Sequence, residues 1–165
     1  MVTPLNTQRL REFADCLAEL HAVLPPDVLK TLRPPATTEA IDRVKRLLAP
    51  VALPADVKLL LQWHDGQEWN STLSPDNNRR LLSAEEIAER IGFFSDPSED
   101  FLKPWNPSWV PLLTNDSGDY LVYETAGENE GKLIQYWHDD LRRLIQHQDL
   151  TFWANELRCE LLASQ

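Results

Sequence analysis

The chain has only two cysteines, five glycines and one methionine in 165 residues, and each scarcity excludes a class of protein. Cys16 and Cys159, near opposite ends, cannot build a disulfide framework. Both read as small buried hydrophobes of a reducing compartment. The glycines are scattered at turns and form no Gly-rich loop able to cradle a phosphate. No apolar run approaches the ~18 residues needed to cross a bilayer. The first residues show no basic stretch followed by an apolar one, so no export signal is expected. These absences together predict a cytoplasmic protein with no membrane partner. Positive charge is also short: 16 Lys and Arg stand against 26 Asp and Glu, a net charge of -10. Such a field repels phosphate backbones and anionic lipid, which argues against a nucleic-acid partner and favours a basic protein.

What is present reads as one globular domain over residues 1–165. The composition is 42% hydrophobic and 25% charged, ordinary for a folded chain. A chain of this size buries about 68–70% of its unfolded surface, enough for a self-sufficient core.

Leu10, Phe13, Ala14, Leu17, Leu20, His21 and Leu24 recur at helical spacing and predict a first helix over Thr7–Val23, stopped by Pro25-Pro26. Ile41, Val44, Leu47 and Leu48 mark a second helix from Thr37 or Thr38 to Ala49, with Glu39 in its first turn and Lys45 and Arg46 in its last, matching the helix dipole. Pro54 suits the start of a third helix carrying Val57, Leu60 and Leu61 inward, ended by Asp65-Gly66. Ser83 with Glu86 is a capping box, so a fourth helix runs from Ala84 to about Ile91, preceded by a short strand at Leu81-Leu82. Ser95–Pro107 reads as a long surface loop.

Strands follow at Trp109–Leu113, Tyr120–Glu124, Lys132–Trp137 and Arg143–Ile145. Pro111 places the first at a sheet edge or strand end. A last helix near Thr151–Leu162 is expected to bury Phe152, Leu157 and Leu161 or nearby positions. The predicted class is α+β: an antiparallel sheet of about four to six strands wrapped by N-terminal, middle and C-terminal helices.

Several of these signals stand in a telling order. Leu53-Pro54 opens a helix ending Trp63-His64-Asp65-Gly66. Leu81-Leu82-Ser83 leads into a helix. Trp109-Val110-Pro111, Gly118-Asp119-Tyr120-Leu121 and Lys132–Trp137 form strands, and a final helix carries Phe152. In that order the chain resembles the SUKH superfamily, the Smi/Knr-like domains, over about residues 37–162. It departs at Asp65, where the family usually shows Asn, and in a weak match after Gly131. Residues 1–36 read as an N-terminal helical extension. The resemblance implies a helix-wrapped antiparallel sheet with no shared catalytic residues. It also implies a binding role: many bacterial members look like immunity proteins that neutralise a toxin by binding it, and others are regulatory or scaffold modules.

No catalytic set is visible beside this. His64-Asp65 and His138-Asp139-Asp140 invite comparison with metal phosphohydrolases, but that chemistry needs converging ligands, and no two histidines share a helix at metal-ligand spacing. Cys16 lacks an electropositive setting or a backed histidine. No catalytic residue, metal or cofactor is expected. The acidic groups are more suggestive. Asp65 and Glu68 flank a turn beside Trp69. Asp96, Glu99 and Asp100 share the long loop with Trp105. Asp116, Asp119, Glu128 and Glu130 lie at strand ends. Acidic loops with aromatic anchors suit a basic partner such as a nuclease-type toxin, because charge raises the on-rate and aromatics supply hot spots. Asp65, Glu68, Trp69, Trp105, Asp116 and Asp119 are therefore the expected partner contacts, presented by a monomer or weak homodimer. Trp63, Trp109, Trp137 and Trp153 are expected in the core.

Overall fold

The computed structural model describes residues 4–96, 98 and 105–165; Glu99 and Asp100 lie outside them. Helix α1 (Pro4–Val23) is followed by a single turn, α2 (Pro26–Leu29), in what the sequence presents as a connector. Helix α3 (Thr38–Leu48) starts on the Thr37 hydroxyl, which accepts from the Ala40 N–H at 3.1 Å, a side-chain N-cap. Helix α4 (Ala55–Trp63) begins directly after Pro54. Strand β1 (Arg80–Leu81) leads into α5 (Ala84–Ser95), where Ser83 and Glu86 close the reciprocal capping box that the sequence predicts. Strands β2 (Trp109–Thr114), β3 (Tyr120–Glu124), β4 (Leu133–Tyr136) and β5 (Arg143–His147) precede α6 (Leu150–Ala163).

All five strands pair antiparallel in the order β1-β2-β3-β4-β5, so the fold is α+β. Hairpin-length connections permit no other pairing from β2 to β5, while β1 reaches β2 through α5. Pro111 sits inside the sheet, on the second strand, rather than on its edge. This is tolerated because β1 is only two residues long and reaches Leu113 and Thr114, leaving no strand beside Pro111 on that side; the β2–β3 register slips there.

Alternation along β3 and β4 puts Tyr120, Val122, Ile134 and Tyr136 on one face and Leu121, Tyr123, Leu133 and Gln135 on the other. The first face receives α5: Phe94 lies 5.8 Å from Tyr120 and 5.4 Å from Tyr136, centre to centre, and Trp105 stacks on Phe94 at 3.8 Å. On the second face the Tyr123 hydroxyl donates to Asp56 of α4 at 2.9 Å, and α1 packs across α4 and α6. Phe13, Leu17 and Leu20 of α1 join the same core as the sheet residues.

Some side-chain expectations are corrected. Phe152 is half exposed and its neighbour Trp153 is buried instead. Counting back from Leu161 and Leu157 in steps of four reaches Trp153, not Phe152. Leu47 is also exposed. Cys159 is exposed and Cys16 only half-buried, its thiol pushed up by that burial. Trp109 joins Trp153 in the core, while Trp63 and Trp137 are half-buried. No helix among the described residues is long and apolar enough to cross a membrane.

Candidate partner-binding face

The chain leaves α4 through His64 and Asp65 and turns at Gly66, whose φ is +74°. From there it is fastened on both sides. The Asp65 N–H donates to the Pro34 carbonyl at 2.9 Å and the Glu68 N–H to Thr31 at 2.8 Å. The Asp65 carboxylate accepts the Ala84 N–H at 2.7 Å, at the first turn of α5, where the orphan amides of a helix welcome negative charge. The Gln67 side chain, fully buried, accepts the Leu81 N–H at 3.0 Å, and the Gln67 backbone N–H donates to the Leu81 carbonyl at 3.0 Å.

Glu68, Trp69, Asn70 and Ser71 then form a tight turn closed by the Ser71 N–H on the Glu68 carbonyl at 3.3 Å. Asn70 has a φ of 65°, the left-handed region that turns require at their third position and that Asn tolerates. Its N–H donates to the Asp116 carboxylate at 2.9 Å. The turn is thus pinned at Glu68 and at Asn70, and between the pins Trp69 stands 71% exposed.

Beneath it lies a buried cation. The Arg80 side chain is 3% exposed. Its Nε and Nη2 donate to the two Asp116 oxygens, each at 2.8 Å. Nη1 and Nη2 donate to Glu86 at 3.1 and 2.6 Å, and Nη1 also reaches the Gln67 carbonyl at 3.1 Å. Every guanidinium N–H therefore has an acceptor, the condition for a buried charge to be tolerated. One residue ties the Trp69 turn, the β2–β3 turn and α5 together. Burial pushes the Asp116 and Glu86 carboxyls upward, but the hydrogen bonds from Arg80, with backbone N–H donors from Asn70 and Ser83 respectively, outweigh it and hold both below the usual carboxylate range.

The expected contact residues thus separate. Glu68 and Trp69 are exposed on one pinned turn. Asp116 belongs to the Arg80 network. Asp119 is buried, accepting the His138 N–H at 2.9 Å, the His138 ring at 2.8 Å and the Asn115 amide at 2.9 Å. Trp105 is half-buried in the aromatic cluster against Phe94, Trp109 and Tyr136. Asp65 is half-buried on α5. A cleft of about 300 Å³ opens beside Trp69, lined also by Arg80, Glu86, Glu89, Arg90, Asp116 and Tyr120. Glu89 on α5 is exposed and extends the acidic rim. Neither Arg80 nor Glu89 is singled out by sequence reasoning; Arg80's only local signal is that it belongs to an Arg pair entering an apolar strand.

Asp119, His138 and Asp139 bring ligand-type atoms within 4.8 Å of one another, the one such trio among the described residues. The Asp119 oxygens are already engaged by His138 and Asn115.

The lowered carboxyls fix a pH dependence. Each contributes stability that is fully present above the unfolded carboxylate range, near pH 4, and is lost as pH falls through the lower folded values. The stability difference between the wild type and Arg80→Met, followed by urea unfolding from pH 7 to pH 3, is expected to shrink towards the acid end, because the variant no longer lowers Glu86 and Asp116. A difference that stays constant would mean that these carboxylates are not linked to Arg80.

A model of the SMI1 / KNR4 family (SUKH-1) matches residues 35–154. No curated protein matches the chain. The matched segment contains the Gly66 turn, the Trp69 turn, the Arg80 network and the whole sheet, and leaves α1 and α2 outside. The chain belongs to the SMI1 / KNR4 (SUKH-1) family.

Proposed function

We propose that this is a non-enzymatic protein-binding domain, an immunity protein that neutralises a cognate toxin by covering its active site. The observation that carries the reading is the Trp69 turn: a large aromatic held out into solvent on a backbone pinned from both sides. Exposed tryptophan on a pre-ordered turn is the anatomy of a binding hot spot, because the aromatic area is desolvated with little ordering cost. Glu68 and Glu89 beside it, and the net charge of -10, suit a basic partner such as a nuclease-type toxin and speed its encounter. Family membership supports a protein partner. Asp116, Asp119 and Trp105 act in this reading as supports of the face, with Asp65 positioning the turn on α5.

The test is co-expression with the product of the adjacent gene, scoring survival and co-purification at low and high salt. Rescue with a salt-weakened one-to-one complex is the expected result; absence of both toxicity and complex would overturn it. Trp69→Ala is expected to weaken that complex by at least about 2 kcal/mol, roughly 30-fold, while leaving thermal stability within about 0.5 kcal/mol, as for a surface position.

A second reading, a regulatory or scaffold module of the Smi/Knr type, is favoured by a separate surface. The edge strand β5 exposes Leu144 and Ile145, with Leu141 and Phe152 exposed next to it. An open apolar edge is a template for an added strand, and a module with two docking surfaces can join two partners.

A further inference from the structure

We propose that His21 and His64 form a two-imidazole binding site for a divalent transition-metal ion of the zinc class, clipping α1 to the end of α4. His21 lies in the last turn of α1, outside the family-matched segment, and His64 caps α4. They are 43 residues apart, so no sequence spacing announces the pair.

The geometry leaves room for one shared ion. His21 Nδ1 and His64 Nε2 are 3.4 Å apart, and the ring centres are 5.4 Å apart. Rings lying flat on one another at that separation would keep their nitrogens about as far apart as their centres. The ring planes are nearly parallel, 11° apart, and the shorter nitrogen distance means that the rings are displaced so that their nitrogen-bearing edges meet. At 3.4 Å the contact is a long hydrogen bond at most. Two imidazole nitrogens each about 2.05 Å from one tetrahedral zinc lie about 3.3–3.4 Å apart, with ring centres about 5.3 Å apart. Both observed distances fit that arrangement.

The tautomer of His64 matches as well. Its Nδ1 faces the Arg33 carbonyl at 2.7 Å. A carbonyl only accepts, so Nδ1 carries the proton and Nε2 presents its lone pair. A backbone carbonyl holding the far ring nitrogen is the usual second shell of a metal-ligating histidine. Trp63 walls the pair, its ring 4.6 Å from His64 and 6.1 Å from His21. Imidazole pairs suit zinc, nickel and copper rather than magnesium or calcium. Among the described residues no third His, Cys or carboxylate completes the set, so water or a partner side chain takes the remaining positions.

The experiment titrates Zn²⁺ and Cu²⁺ into the chelator-treated full-length protein, reading calorimetry, thermal shift and the nitrogen couplings of bound Cu²⁺. The expected result is one ion per chain, a raised Tm and coupling to two imidazole nitrogens. His21→Ala, at an exposed position, should weaken binding by at least about tenfold and leave one nitrogen coupled, with metal-free Tm unchanged. His138→Ala, beside the acidic trio, should bind as the wild type does. Binding unaffected by His21→Ala, binding abolished by His138→Ala, or no saturable binding would each overturn the assignment.

Discussion

Arg80→Met is expected to lower the unfolding free energy by about 3–5 kcal/mol, the cost of stranding buried charges when one partner is removed. Methionine matches the length of the arginine stem, so little packing is lost. What is lost is both Arg80 donors to Asp116, whose side chain is only 10% exposed and keeps only the Asn70 N–H, and both Arg80 donors to the 26% exposed Glu86. Domains of this kind have roughly 5–15 kcal/mol in total, so the variant should be only marginally folded. Urea unfolding reads this as a large fall in midpoint. Because the penalty comes from the carboxylates and not from the missing cation itself, Arg80→Met combined with Glu86→Gln and Asp116→Asn should regain part of the loss. A single variant as stable as the wild type, or a triple variant worse than the single, would contradict the account of the network. The single variant should also release the Asn70 end of the Trp69 turn, since Asp116 is the acceptor that pins it.

Gly66→Ala should be nearly as damaging, by about 2–5 kcal/mol, for two separable reasons. Its φ of +74° disfavours any side chain, and a Cβ there would sit 2.4 Å from the Ser83 nitrogen and 2.7 Å from the Leu82 carbonyl carbon. Those atoms are backbone at the N-cap of α5 and cannot swing aside. Gly127 separates the two effects: its φ is +82°, but nothing lies within 4 Å of its would-be Cβ. Gly127→Ala should therefore show the conformational cost alone, about 1–2 kcal/mol. Equal losses at the two positions would mean that the close approach of the Gly66 turn to α5 contributes nothing. The glycine is needed because α5 starts against the backbone that leaves α4, and the same approach lets Asp65 reach the Ala84 N–H.

These two residues mark the boundary of what the sequence discloses. Local signals carried through well: the Ser83–Glu86 box, the Thr37 cap and Pro54 each start a helix where they stand, because capping is decided within one turn. The hairpin-length loops determined the antiparallel order from β2 to β5 for the same reason. Gly66 was legible as a turn but not as a close contact, since Ser83 comes to it only through the fold. Arg80 and Asp116 are 36 residues apart, and no local pattern joins them; in the sequence Asp116 looks like one more loop acid available to a partner. Asp119 misleads in the same way, because its partner His138 arrives from the next hairpin. Trp105 sits in a polar stretch, yet Phe94 captures its ring. Composition thus exposes the acidic character of the surface, while tertiary contacts decide which acids are at work inside. Trp69, expected with Trp105 as a partner contact, is the one of the two that the fold leaves exposed.

The account's central claim is that the pinned Trp69 turn is where a partner docks. Hydrogen exchange of the complex with the adjacent gene's product tests it most directly, with the Trp69→Ala protein measured alongside. The account predicts new amide protection over residues 68–71 and the exposed side of α5 near Glu89, diminished when Trp69 is alanine. Protection confined to β5 and the start of α6, with Trp69→Ala binding as tightly as the wild type, would contradict it and move the docking surface to the open edge of the sheet.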